Sequence, residues 1–271
     1  NPEDLSESFL SIDAIDRISV GIQSMDDDVL KTLGRNASAE DNRRALSMLS
    51  GSGRRFNADI ITAVPGERVS TTISDIETIA GYGAGHISYY CLTFEEGTPL
   101  ASRLEPVGED LEIEFLKRGW ERLGELGYRH YEVSNFAKAG EECLHNKVYW
   151  ELGQYIGIGP GAESSIGWSR AVSLREPEDL RSYNEGLNGT GVRLTSDETE
   201  EEFLMTALRT SQGIDKRIYS ERFSYDFDSR YGEAISSLDA ALYRNNGQSF
   251  SLTEDGFMLL DTVILTLAGI I

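Results

Sequence analysis

The sequence predicts an α/β fold, and three observations carry that reading. Short runs rich in β-branched and aromatic residues alternate with longer stretches of helical period across the first two thirds of the chain. Glycine- or proline-marked breaks, such as Pro65-Gly66, separate them. The rhythm then changes: beyond residue 197, helical stretches follow one another directly.

Taken in order, Arg17-Ile-Ser-Val-Gly-Ile22 reads as a buried strand, followed by helices over 26–33 and 39–49. Residues 56–64 form the next strand, 70–80 a helix and 86–93 a third strand. A long amphipathic helix spans 110–126, and two further strands are expected over 128–133 and 155–158. Repeated βα units imply a parallel sheet with helices outside it. A closed eight-unit barrel needs about 250 residues and only around 170 carry this pattern, so a partial barrel is expected. The chain opens on Asn1-Pro2 rather than Met, which reads as an N-terminal truncation.

The glycine- and asparagine-rich run over 182–191 marks a boundary, dividing the chain into a barrel part (1–184) and a linker with a C-terminal domain (185–271). In the second part, helices over 200–210, 216–223 and 229–243 precede Ser249-Phe-Ser-Leu252 and a last helix, an order resembling a winged-helix module. No basic recognition face accompanies it, so a packing or lid domain is the reading.

Composition narrows the function classes. The chain is 39% hydrophobic and 26% charged, as globular proteins are. A net charge of −21 repels nucleic acid and anionic membrane alike, so no nucleic-acid partner is expected. Two cysteines, Cys91 and Cys143, suit a reducing, cytoplasmic setting and supply no disulfide framework. The most apolar stretch, residues 257–271, is short of the roughly 20 residues a membrane span needs.

Several residues can carry chemistry. His145-Asn146-Lys147-Val148-Tyr149-Trp150 combines an imidazole, an amide and two aromatics with polar tips. A neutral imidazole can ligate heme iron and flat rings can lie against a macrocycle, although a single histidine also serves as a hydrogen-bonded structural residue. Tyr155-Ile-Gly157-Ile-Gly159-Pro160-Gly161-Ala162 mimics a dinucleotide fingerprint, but Pro160 and its late position favour a tight turn lining a cavity. Gln23, Arg35 and Asp59 fall at or just beyond strand ends, the rim where parallel barrels bind ligands, and Glu132 and Asn135 occupy a similar position. An Arg can fork onto a carboxylate and an Asp can accept from ribose hydroxyls, while surface or capping roles fit the same residues. No zinc spacing, Walker sequence or nucleophile elbow is present.

Ile18-Ser-Val-Gly-Ile-Gln23-Ser, Leu33-Gly-Arg35, Asp59-Ile-Ile-Thr-Ala-Val-Pro65-Gly, His86-Ile-Ser-Tyr-Tyr, Gly97-Thr98 and Gly127-Tyr occur in that order. Tyr131-Glu-Val-Ser-Asn-Phe-Ala137, His145-Asn-Lys-Val-Tyr-Trp150 and Gly157-Ile-Gly-Pro-Gly-Ala162 follow them. Together they resemble HemW-like heme chaperones, relatives of oxygen-independent coproporphyrinogen III dehydrogenase in the radical S-adenosylmethionine (SAM) family. Leu208-Arg-Thr-Ser-Gln-Gly-Ile214 and Leu252-Thr-Glu-Asp-Gly256 are similar to that family's C-terminal domain.

The resemblance implies a partial (β/α) radical-SAM barrel lacking its first strands, plus a small, mostly helical, winged-helix-like C-terminal domain. It implies that Gln23, Arg35 and Asp59 contact SAM. It also implies that His145, Asn146, Tyr149 and Trp150 bind heme, with His145 as iron ligand, for delivery to acceptor proteins. The alternative it carries is the dehydrogenase, in which a SAM-derived radical takes hydrogen from porphyrinogen propionates. Three departures stand out. The family's Cys-X3-Cys-X2-Cys loop for a 4Fe-4S cluster is absent, with the neighbouring glycine pair and a Glu, as a truncated N-terminus would leave it. Ala63 replaces the usual glycine, and Cys143 stands where a polar residue is common. With two cysteines and a cluster needing at least three thiolates, this chain alone is not expected to cleave SAM.

Overall fold

The computed structural model describes residues 1–168, 172–186 and 189–270. Residues 187 and 188 of the glycine- and asparagine-rich run, and Ile271, lie outside them. Two compact units divide the chain, Asn1–Glu142 and Cys143–Ile271. That division precedes the sequence boundary at 184/185, because the first helix of the second unit and two strands of its small sheet lie between the two positions.

In the first unit a 3-10 turn (Pro2–Asp4) and α1 (Glu7–Leu10) lead into β1 (Arg17–Gln23). Helices α2 (Asp27–Thr32) and α3 (Ala39–Ser52) connect to β2 (Arg55–Thr62), and α4 (Val69–Gly81) connects to β3 (His86–Cys91). Helix α5 (Glu109–Glu125) precedes the hairpin β4 (Arg129–Glu132) and β5 (Asn135–Ala137). The sheet order is β1-β2-β3-β5-β4. Strands β1, β2 and β3 run parallel, and β5 is antiparallel to both its neighbours. The fully parallel sheet expected from sequence is therefore corrected. Only Val133 and Ser134 separate β4 from β5, too few for a parallel crossover, so the chain doubles back and β5 inserts beside β3. The described sheet is open, as a partial barrel requires.

Period-two patterning places Ile18, Val20 and Ile22 of β1, Phe56, Ala58 and Ile60 of β2, and Ile87 and Tyr89 of β3 in the core. Ala45, Leu46 and Leu49 of α3, Ile76 and Ile79 of α4, and Phe115, Trp120 and Leu123 of α5 are buried too, with α4 contacting β2 and α5 contacting β3. Each large side chain buried in this way contributes roughly 1.5–3 kcal/mol. Helix α3 begins on a reciprocal Ser38–Asp41 capping box and ends at Gly53 in the left-handed region. Acidic residues open α5 and Arg122 closes it, matching the helix dipole.

The second unit opens with α6 (Leu144–Trp150) and a meander of β6 (Glu163–Ile166), β7 (Val172–Arg175) and β8 (Thr190–Arg193), with α7 (Leu180–Asn184) between the last two. Then come α8 (Ser196–Ala207), β9 (Ile214–Asp215), α9 (Lys216–Phe223) and α10 (Phe227–Ser237). The chain closes with β10 (Tyr243–Asn245), β11 (Ser249–Leu252), α11 (Glu254–Met258) and α12 (Leu260–Leu267). The antiparallel sheet β10-β11-β9 against three helices gives the winged-helix-like arrangement. Its core is aromatic, with Phe203, Tyr219, Phe223, Phe227, Tyr231 and Phe250 in successive ring contacts.

Three local expectations are corrected. Residues 155–158 form no strand, and Tyr155 makes only a bridge to Ser165. The helix expected over 229–243 stops at Ser237, where Leu238 turns extended and Tyr243 enters β10. The terminal helix is broken at Leu259 into α11 and α12.

Ala63, which follows β2 and is buried, has φ of 59°, in the left-handed region. An L-residue there is strained by its Cβ, so Ala63→Gly should raise stability by about 1 kcal/mol in urea unfolding. A lower urea midpoint for the glycine variant would contradict this.

Candidate functional site

The face of β1, β2 and β3 opposite the apolar set is largely polar. Strand register aligns Ser19 with Asn57 and Asn57 with His86, and one step on aligns Gly21 with Asp59 and Asp59 with Ser88. A chain of side-chain hydrogen bonds crosses the strands. Asn57 Nδ2 donates to Asp59 Oδ1 and to Ser19 Oγ, each at 2.7 Å. Asn57 Oδ1 lies 2.6 Å from His86 Nδ1, and His86 Nε2 lies 2.8 Å from the Tyr131 hydroxyl.

The direction of that chain follows from its end. A carboxylate only accepts, so Asp59 fixes which end of the Asn57 amide faces it. The amide oxygen then faces His86, Nδ1 carries the hydrogen, and Nε2 accepts from Tyr131. Burial keeps the imidazole neutral, pushing its pKa down to about 3, with the Arg17 and Arg55 charges acting in the same sense.

The three predicted rim residues gather around Gly21. A Cβ at Gly21 would collide with Gln23 Nε2 and come within 3.6 Å of Arg35 Nη2, so a side chain at this position would block their approach. Asp59 is the ladder partner of the same glycine. Burial and the Asp59 charge raise the Tyr90 hydroxyl's pKa while Arg35 lowers it, so both charges act on one ring. Gln23 sits at φ of 65°, and its amide oxygen is buried without a partner. Asn42 Nδ2 steadies that bend by donating to the carbonyls of Ile22 and Ser24 at 2.9 and 2.8 Å. An unpaired acceptor, a carboxylate and a guanidinium together suit a ligand bearing hydroxyl, amino and carboxylate groups.

Glu132 and Asn135 bond each other at the β4–β5 turn, Asn135 Nδ2 donating to Glu132 Oε1. Burial pushes the Glu132 carboxyl up to about 7. Two clefts of about 430 Å³ lie elsewhere in this unit, one lined by residues such as Arg55 and Glu141 and the other by residues such as Asp28 and Arg68. Neither of these two is lined by Gln23, Arg35 or Asp59.

In the second unit, α6 carries the other four predicted residues and buries none of them fully. His145 Nε2 lies 2.6 Å from the Tyr149 hydroxyl, their rings meet edge to face at 4.7 Å, and Tyr149 meets Tyr155 the same way at 4.6 Å. Asn146 and Trp150 lie roughly 100° further round the helix. There Asn146 Oδ1 accepts from Cys143 Sγ at 3.3 Å, and the buried Trp150 indole N–H has no acceptor. The structure thus pairs His145 with Tyr149 and leaves Asn146 and Trp150 on a different face. In the glycine-rich run, a Cβ on Gly157 would overlap the Glu163 carbonyl, so that glycine serves close backbone packing.

Sequence reasoning missed His86, Asn57 and Tyr131. The available signal was alternation, since polar residues recur at most second positions of all three parallel strands, interrupted by Gly21 and Ile61. Among the described residues no group of three or more His, Cys, Asp or Glu side chains could hold a metal ion, and no helix is long and apolar enough to cross a membrane.

Comparisons with known proteins agree with this anatomy. The family model of the HemN C-terminal domain matches residues 194–259. The heme chaperone HemW of Lactococcus lactis is 30% identical over 97% of this chain and 72% of its own length. The mouse mitochondrial protein called radical S-adenosyl methionine domain-containing protein 1 is 32% identical over 93% of this chain and 62% of its own. Among solved structures, the coproporphyrinogen III oxidase HemN of Escherichia coli, a radical SAM enzyme, has a TM-score of 0.80 at 16% identity. That alignment covers 98% of this chain and 68% of HemN, and it carries the fold alone.

Because folding holds His86 neutral, its contribution to stability is complete above pH 6.5 and is lost as pH falls toward 3. The stability difference between wild type and His86→Gln should therefore shrink below pH 6.5, by up to about 1.4 kcal/mol per pH unit, in urea unfolding at stepped pH. A difference independent of pH would show that the imidazole is not held in this way.

Proposed function

The chain belongs to the family of the heme chaperone HemW, and on that premise we propose that it binds heme at the His145 face of α6 for delivery to acceptor proteins. The observation that carries the reading is the half-exposed His145–Tyr149 pair, flanked by the Tyr155 ring. With Nε2 engaged by Tyr149, Nδ1 is the imidazole nitrogen without a partner among the described residues. Ligation through Nδ1 keeps the Tyr149 bond, which orients the ring as outer partners of metal-ligating histidines do. Ligation through Nε2 requires Tyr149 to swing away. The Tyr149 and Tyr155 rings beside His145 supply flat apolar surface.

Gln23, Arg35 and Asp59 fit SAM, the cofactor of the wider family. The orphaned Gln23 oxygen and the space kept open by Gly21 support this reading. Asp59 would accept from ribose hydroxyls, Arg35 would meet the carboxylate and Gln23 would accept from a ligand donor. Bound next to a reduced 4Fe-4S cluster, SAM supplies an organic radical. The residues present do not fit that cluster. Cys91 and Cys143 are the chain's two thiols, and burial, with Glu112 nearby, pushes Cys91 up to about 12, leaving it a thiol at neutral pH. The thiolates such a cluster needs are therefore not supplied by this chain. Reduced cysteines fit a cytoplasmic setting, and the chain's acidity fits a protein partner better than nucleic acid.

Titrating hemin into the chain and following the Soret band tests the reading. His145→Ala should weaken binding by about tenfold or more and shift the band. Equal affinity and an unchanged spectrum in the alanine variant would remove His145 from the site.

A further inference from the structure

Arg222, in the last turn of α9, is 3% exposed and has no carboxylate partner among the described residues. Its three donor positions all point at backbone carbonyls. Nε donates to Trp168 at 2.5 Å, Nη1 to Glu151 at 3.3 Å and Nη2 to Leu152 at 3.1 Å. The Trp168 ring covers the guanidinium at 4.6 Å. Burying a cation without a counter-charge is an unfavourable way to fill a core, where an apolar side chain of similar volume would be the more stable choice. Its placement points to a role beyond stability.

Two of those carbonyls finish the helix that carries His145. Glu151 is the C-cap of α6, and Leu152 follows it at φ of 47°, the left-handed position usually given to glycine. Leu152 N–H donates to Tyr149 O at 3.0 Å and Gly153 N–H to Val148 O at 2.7 Å, the paired bonds of a Schellman end. A helix of seven residues does not hold itself together in water, and this one ends on a strained leucine. The guanidinium is what occupies the two carbonyls just beyond the turn, where a cation also meets the negative end of the helix dipole.

We propose that Arg222 is a positioning residue for heme: by gathering the carbonyls of Glu151, Leu152 and Trp168 it holds the end of α6, and so sets the His145–Tyr149 face that meets the iron. The C-terminal domain thereby completes a site whose ligand it does not supply. This rests on the heme reading above.

Hemin titration of the full 271-residue chain separates the two claims. Arg222→Gln should bind hemin about ten- to a hundredfold more weakly than wild type, with the His145-dependent Soret signature diminished. Amide exchange should quicken at residues 148–153. Arg222→Lys, which keeps the charge but reaches fewer carbonyls at once, should fall between the two, and it is the variant to measure if Arg222→Gln does not fold. If His145→Ala binds hemin as wild type does, the heme reading fails and takes this role with it. If His145→Ala loses binding while a folded Arg222 variant keeps wild-type affinity and spectrum, the positioning role alone is overturned.

Discussion

The register of three parallel strands is the constraint on which the first unit depends. Side chains alternate strictly along a strand, so a slip of one residue in β2 would carry Asn57 and Asp59 under the helices and send Phe56, Ala58 and Ile60 to the polar face. The apolar core forbids that slip, and in forbidding it sets Asp59 beside Gly21. Hydrophobic burial, which has no directional preference of its own, thus sets a polar arrangement across the strands. The hydrogen bonds from Tyr131 through His86 and Asn57 then refine what register has already placed.

The second unit solves a different problem. Its candidate ligand sits on a helix too short to be autonomous, beside a glycine-rich segment with exposed Ile156 and Ile158. Rigidity has to be imported from the aromatic core around Tyr219 and Phe227, and Arg222 is the member of that helical layer that reaches out to backbone carbonyls. Lys216 does comparable work at the other end of α9, where its buried ammonium joins Asp228, Asn245 and the Asn246 carbonyl. Here cations serve as fasteners for backbone.

What was legible in the sequence was local or periodic. Ile18, Val20 and Ile22 announce a strand with one buried face, and the Ser38–Asp41 box announces the start of α3. Of the expected rim residues, Gln23 closes β1 and Arg35 lies in the loop after α2, whereas Asp59 lies inside β2, so strand ends alone do not bring the three together. The insertion of β5 was not legible, since a three-residue strand has too little pattern to reveal a reversal. The meander of β6, β7 and β8 was hidden because its residues are mostly exposed and lack a clean apolar alternation. Arg222 could not be found at all from sequence: its partners lie 54 to 71 positions away and are carbonyls, which every residue possesses.

The Gln23 amide oxygen has one further consequence. In the folded chain it is already stripped of water and held still by the bent end of β1. Its dehydration has been completed during folding, at a cost of about 1–3 kcal/mol to the native state. A donor arriving at that oxygen therefore recovers the hydrogen bond without first displacing solvent from it. On the proposal that Gln23 meets SAM, instability at one atom of the native state would be stored as affinity.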